Sequence, residues 1–300
     1  MVKRMSAEAL LFVTVAIYAF NFTAAKFALD NGFEPLSYSS VRFVFAAGAF
    51  TVLTWQREDT LRVARVDLKW LGLMALVGVV FNQLVFAFAL DRASASSTSL
   101  LFGTFPIFVA LIASAVGTEK LRARHWAATL VSFAGVALVA GGGGSASFDG
   151  GILGVLLGLG IAVTWAGYSV GVKPLLARYS AYRVSAWVML LGAVPLTLVS
   201  LAHLVGQDWG AITKLAWVAF AYTTAVGLVL ANVTYFTSIE RVGAARASLY
   251  LNLQPFLGAL LAVAILSEEL SGAQIGGGAV IALGIILARG LKTPRLRLER

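Results

Sequence analysis

Residues 86–121 read FAFALDRASASSTSLLFGTFPIFVALIASAVGTEKL, and 149 positions later residues 235–270 read YFTSIERVGAARASLYLNLQPFLGALLAVAILSEEL. The two stretches align without a gap. Arg92 falls on Arg241, Ala95 on Ala244, Ser99 on Ser248, Pro106 on Pro255, Glu119 on Glu268 and Leu121 on Leu270. The register continues to Gly135/Gly284 and Gly141/Gly290. A chain that repeats itself in this way is built from two copies of one unit. In an apolar chain such a repeat is a mark of many transporter folds, with the substrate held between the copies.

The solvent of this chain is lipid. Of its 300 residues 59% are hydrophobic and 12% charged, and the mean hydropathy is +0.87. Soluble domains carry charge on about a quarter of their residues, so too few are available here for a wetted surface. There is no cysteine, which excludes disulfides, thiolate metal sites and cysteine nucleophiles. The net charge of +9 is divided among short loops, a pattern that speaks for membrane orientation and against nucleic acid.

A bilayer core needs about 20 apolar residues per helix. Ten such spans can be read: 7–29, 36–55, 70–90, 94–116 and 126–140, then 151–172, 185–205, 215–237, 247–267 and 273–288. The glycine-rich stretch 142–150 reads as a flexible link. The expected division is therefore a first five-helix repeat over 1–141, the link, a second repeat over 151–290 and a basic tail over 291–300. Of the 23 Lys and Arg, Lys26, Arg92 and Lys214 fall on one side of the membrane, Arg42 lies inside a span, and the other 19 fall on the opposite side. The basic side is expected to be cytoplasmic and to hold both termini. Five spans per half is an odd number, so the second repeat enters from the opposite face and is inverted. Lys3-Arg4 before an apolar run imitates a secretory signal. The run is too long for one, however, and Tyr18, Asn21 and Lys26 align with Trp165, Tyr168 and Lys173. The first span is therefore read as a structural partner of the sixth.

Pro255…Ser267-Glu268-Glu269-Leu270…Gln274-Ile275-Gly276…Gly284, with the weaker copy Pro106…Thr118-Glu119-Lys120-Leu121…Gly135, resembles the end of an EamA-type repeat of the drug/metabolite transporter superfamily. In overall pattern and aromatic content the chain is most similar to the YddG-type aromatic amino-acid exporters of that superfamily. The resemblance implies an all-α membrane protein with a central cavity lined by spans one, three, four, six, eight and nine. It places spans five and ten at the periphery.

The residues point the same way on their own. A polar side chain at the bilayer centre is costly without a partner or water, so mid-span polar groups are candidates for a path. Gln83 and Phe86 share a helix face, as do their repeat mates Asn232 and Tyr235. Tyr18 and Asn21 share a face in span one, matched by Trp165 and Tyr168 in span six. Asn252 and Gln254 flank the middle of span nine. The competing reading is helix–helix bonding by Asn and Gln. Symmetric placement in both halves favours a cavity at the repeat interface. Trp187 and Tyr250 are read as deep aromatics alongside this set. Pro106 and Pro255 are mid-span and remove backbone hydrogen bonds, so spans four and nine are expected to kink and gate the two mouths. Spans five and ten carry small residues, among them Gly135, Gly276 and Gly284, and are expected to pack on each other within one chain, which is read as a monomer.

The carboxylates fall in loops or near span ends, and His125 and His203 near span ends. Proton-driven pumps commonly use a buried carboxylate or histidine relay. The expectation is therefore a facilitator or exporter of amino acids, including aromatic ones, in a bacterial inner membrane. It uses no cofactor, no metal and no obvious proton coupling. A proton-coupled drug or metabolite antiporter using Glu8 or His125 stays open. Arg42, about 10 Å in from Pro35, is read as snorkelling to the outer interface in preference to a substrate role at the outer mouth, where a carboxylate would be its natural partner. One cation in a span makes phosphorylated substrates a poor fit. No phosphate loop or HExxH motif occurs, so an enzyme is not expected. An intramembrane enzyme or structural membrane protein is the competing class, and neither explains an inverted repeat.

Overall fold

In the computed structural model the described residues are 5–92, 98, 101–119, 121–142, 151–254, 256–257 and 272–289. Their regular elements are all helical. We number them α1 (Ala7–Asp30), α2 (Pro35–Glu58), α3 (Arg65–Arg92), α4 (Phe105–Ala115), α5 (Ala123–Gly142), α6 (Gly151–Leu176), α7 (Ala181–Val199), α8 (Lys214–Val242), α9 (Ala244–Leu251) and α10 (Gly272–Arg289). Six of these, α1, α2, α3, α6, α7 and α8, are long and apolar enough to cross a bilayer, and Phe105–Ala115 and Ile275–Leu287 are shorter apolar stretches. Apart from Gly142, which ends α5, the expected link at 142–150 and the tail at 291–300 lie outside the described residues.

Local chemistry sets the helix ends. Ser6, Ser180 and Thr213 each accept a hydrogen bond from the backbone N–H three residues on, capping α1, α7 and α8. Pro35 opens α2, where its missing N–H has no partner to lose. Gly243 closes α8 at φ 86°, a conformation that suits glycine.

Helices pair across the halves. α5 runs along α10, α2 along α7, and α4 meets α9; α1 packs on α8 and α3 on α6. Exchanging the halves maps this set of pairs onto itself, which is the pseudo-two-fold relation expected of the repeat. Lipid gives no hydrophobic drive for helices to associate, so close van der Waals fit must supply it. Between α5 and α10 the backbones nearly touch. A Cβ on Gly135 would lie 2.7 Å from the Gly277 carbonyl oxygen, and one on Gly284 would lie 2.9 Å from that of Ala128. Large apolar side chains such as Phe45 and Leu156, each 60% exposed, cover the outer faces.

The ion pairs sit at helix ends. Arg183 pairs with Glu58 at 2.6 Å, Arg178 with Asp67 at 2.5 Å, Lys173 with Glu119 at 2.7 Å and Arg246 with Glu8 at 3.1 Å. At the other end Lys26 meets Asp30 at 3.0 Å and His203 meets Glu34 at 3.0 Å. Asp67, Glu119 and His125 are more deeply buried than a loop or interfacial position suggests, at 4%, 3% and 3% exposure. Arg178 and Tyr179 of the second repeat bond to Asp67, and Lys173 and the Ala244 N–H to Glu119.

Two departures from regular helix come in a matched pair. The backbone of α3 widens to π geometry over Leu76–Phe81, and that of α8 does so over Ala225–Leu230. The two segments are 149 positions apart, the repeat register itself. Such π segments concentrate at functional sites.

Candidate functional site

The π segments lie where the halves meet. Within them Gly78 faces the Tyr168 ring of α6, and Gly227 faces the Asn21 amide of α1. Tyr168 and Asn21 are themselves repeat mates. Each half thus presents a glycine notch to a polar or aromatic knob of the other.

Around this junction the structure gathers most of the residues expected at a path. Asn21, Gln83, Phe86, Tyr168, Asn232 and Tyr235 are buried in the interior, and Tyr18 and Trp165 pack against the same core. Trp165 stacks on Tyr235 with ring centroids 6.4 Å apart and meets Tyr168 edge-on at 5.3 Å. Phe236 closes this cluster at 5.2 Å from Tyr168. In the first half Phe22 lies 5.7 Å from Phe86 and 5.8 Å from Phe102. Both amide atoms of Asn232, Asn21 Oδ1, Tyr168 OH and Trp165 Nε1 are buried without a hydrogen-bond partner. Buried polar groups normally find partners, so these atoms are open to a water or a ligand.

Other expected residues are occupied differently. Asn252, just past the end of α9, donates to Ser132 Oγ of α5 at 2.9 Å. Gln254 is buried with both amide atoms free of partners. Asn82, beside Gln83, donates to the Ile161 carbonyl at 3.2 Å and to Thr164 Oγ1 at 2.9 Å, and so binds α3 to α6. Pro106 is not a mid-helix kink. Span four breaks at Gly103-Thr104, and Pro106 sits in the first turn of the new helix, where proline is tolerated. Span nine breaks at Asn252-Leu253, again 149 positions on. Pro255 lies outside the described residues.

Two further readings need correction. Trp187 is not deep: its Nε1 donates to the Leu61 carbonyl at 2.7 Å, at the connection between α2 and α3. A cleft of about 420 Å³ opens there, lined by Trp55, Asp59, Thr60, Leu61, Arg62 and Trp187. It lies at the end of α2 and α7, away from the central cluster. Arg42 does not snorkel. It is 4% exposed, its Nη1 donates to Tyr38 OH at 3.2 Å, and its Nη2 reaches Gln83 Oε1 at 3.4 Å. The ring faces of Tyr38, Phe43 and Phe86 attract the guanidinium and hold it inside. Its spacing of four from Tyr38 was the sequence signal for this arrangement, as the matched glycines 78 and 227 were for the π segments.

Among the described residues no group of three or more His, Cys, Asp or Glu could hold a metal. Their carboxylates lie near helix ends, and none belongs to the central cluster.

A family model described as the EamA-like transporter family matches residues 5–141 and 152–290. The chain is 28% identical to "Uncharacterized transporter YdeK" of Bacillus subtilis, over 93% of this chain and 95% of that one. It is 26% identical to "Probable terminal-alkyne amino-acid exporter" of Streptantibioticus cattleyicolor, over 92% of this chain and 91% of that one. A solved crystal structure with 20% identity superposes with a TM-score of 0.75, covering 98% of this chain and 99% of its own. That likeness concerns the fold.

Proposed function

The chain belongs to the EamA-like transporter family, and on that premise we propose that it moves amino acids, including aromatic ones, by alternating access and without coupling to protons. It is a multi-pass membrane transporter. The observation that carries the finer reading is the interior cluster of Trp165, Tyr168, Tyr235, Asn21 and Asn232, in which amide and ring polar atoms lack protein partners. Tyr and Trp offer an apolar face for a side chain and a polar tip for a head group. Asn amides offer both donors and acceptors to an ammonium and a carboxylate. A site of modest polar contacts binds weakly and releases on either side, as a facilitator requires. The amino-acid exporter among the relatives supports the substrate class.

The breaks at Gly103-Thr104 and Asn252-Leu253 divide spans four and nine at corresponding points. Discontinuous helices at a repeat interface leave backbone groups free for substrate and give each half a point to bend. In this proposal α4 and α9 rock about those breaks and expose the midplane site to each side in turn. The protein acts as a monomer in a bacterial inner membrane, with both termini in the cytoplasm. The test is flux in liposomes containing only this protein. A gradient of labelled phenylalanine should run down, and an imposed pH gradient with equal amino acid on both sides should cause no net accumulation. Uphill accumulation that collapses with a protonophore would overturn the uncoupled mechanism and direct attention to Glu8 or His125.

A further inference from the structure

We infer that the Arg42 guanidinium is the carboxylate-recognition group of the central path. This inference rests on the transport reading above and narrows its substrates to molecules that bear a carboxylate. Arg42 is 4% exposed and lies about 10 Å inside the start of α2 at 1.5 Å per residue. Its hydrogen bonds go to neutral groups, Tyr38 OH at 3.2 Å and Gln83 Oε1 at a long 3.4 Å, while Nε has no partner. The ion pairs among the described residues do not include it.

An arginine cannot escape this situation by losing its proton. A lysine in the same place could become neutral, but arginine stays charged at any physiological pH. A permanent cation inside a membrane protein is expensive unless it is paired or solvated, and such residues mark substrate or ion paths. The three rings around Arg42 supply partial compensation and leave the charge itself in place. What it lacks is an anion.

The geometry aims this charge at the centre. Gln83 and Phe86, which it touches, belong to the inner wall of α3. Phe86 in turn meets Phe22 of α1, with ring centroids 5.7 Å apart. The Tyr38 hydroxyl that receives Nη1 donates in turn to Thr223 Oγ1 of α8 at 2.8 Å, which holds the guanidinium from behind.

A planar fork of donors matches a carboxylate. A phosphate calls for several cations, and the second half supplies none at the corresponding place. Whichever register relates α2 to α7, the counterpart of Arg42 falls within Val188-Met189-Leu190-Leu191, all apolar. One cation on one side of the junction suits one carboxylate, with the aromatic cluster left for the rest of the molecule.

The experiment is competition for labelled phenylalanine flux in proteoliposomes of the full chain. Phenylalanine, its amide, phenethylamine and 3-phenylpropanoate are the competitors. The amide and the amine, which lack the carboxylate, should compete at least about 10-fold more weakly than phenylalanine, as expected when a charge-assisted hydrogen bond is lost. Arg42→Gln should raise the half-saturating phenylalanine concentration by about 10- to 100-fold on the same ground, with Arg42→Lys between it and the wild type. Equal competition by the amine and the acid, or unchanged saturation in Arg42→Gln, would overturn the assignment. If Arg42→Gln does not give monodisperse protein, the wild-type competition series decides alone. If phenylalanine does not move, direct flux of labelled 3-phenylpropanoate and phenethylamine separates the two failures. Movement of the acid with the same Arg42 dependence sinks amino-acid transport and keeps the carboxylate site. Movement of the amine alone, or of neither compound, sinks the carboxylate site as well.

Discussion

The phenol ring of Tyr168 lies so close to the backbone of Gly78 that a Cβ at position 78 would sit 2.3 Å from the ring's Cγ. The same relation recurs between Gly227 and the Asn21 side chain. Each contact joins a π segment of one repeat to the first helix of the other. The widened turns and the missing side chains together make room for the two knobs at the repeat interface.

Gly78→Ala should therefore lower stability by about 1–3 kcal/mol, the usual cost of forcing extra volume into a packed site. Tyr168→Ala in the same background should recover part of that loss, since the two side chains compete for one space. Thermal unfolding of detergent-purified single and double variants reads the coupling. A Gly78→Ala protein as stable as the wild type would show that the contact is not tight.

Glu119 ties three helix ends together. Its Oε1 accepts from Lys173 Nζ at 2.7 Å and from the Ala244 N–H at 2.8 Å, and it faces Gly243. Breaking a fully buried ion pair costs roughly 3–5 kcal/mol. The Lys173 side chain is 27% exposed, so for Glu119→Gln a loss of about 1–3 kcal/mol is expected after allowing for solvent. Lys173→Met should cost more than Glu119→Gln, because it strands a buried carboxylate on a single backbone donor, whereas a Gln amide oxygen still accepts from the Ala244 N–H and the part-exposed Lys173 can reach water. The order of the two melting temperatures checks this.

Asn82 and Asn232 should behave differently when truncated. Asn82 bonds α3 to the backbone of α6, so Asn82→Ala should cost about 1 kcal/mol of stability, as such bonds do between membrane helices. Asn232 has no hydrogen-bond partner for its amide. Asn232→Ala should leave the melting temperature nearly unchanged and reduce flux several-fold. Unaltered flux in Asn232→Ala would remove it from the path.

The two glycines expected away from the path are not equivalent. A Cβ on Gly276 meets nothing within 4 Å, whereas one on Gly284 would lie 2.8 Å from Ser132 Cβ. Gly276→Ala should therefore be neutral or stabilise α10 by up to about 1 kcal/mol through helix propensity. Gly284→Ala should destabilise the α5–α10 pair. Melting curves that rank the two variants in the opposite order would refute this packing.

The sidedness is open to direct labelling in a chain without cysteine. Gln56, at the end of α2, and Asp208, in the connection before α8, are both exposed. Cysteines placed there should react from opposite sides of the membrane, Gln56→Cys from the cytoplasm. Labelling of both from one side would end the inverted arrangement.

The sequence by itself determined the class, the duplication and the segregation of charge. Each is a property of composition or periodicity that survives without coordinates: an apolar chain, a register of 149 and Lys and Arg gathered between the apolar stretches. It also marked Asn21, Gln83, Tyr168, Asn232 and Tyr235, because polar or aromatic groups at matched mid-span positions stand out against an apolar background. Only the tertiary structure decided what each of these groups touches. Asn82 and Gln83 are neighbours in the chain, yet one bonds a helix backbone and the other faces a buried cation. Arg42 could reach the interface or turn inward, and the rings of Tyr38, Phe43 and Phe86 from two helices settled it. The prolines announced an interruption, but whether a helix bends or breaks depends on whether neighbours satisfy the freed backbone groups. Periodicity counts residues along one helix, whereas partner choice depends on the distance between helices that the sequence places far apart.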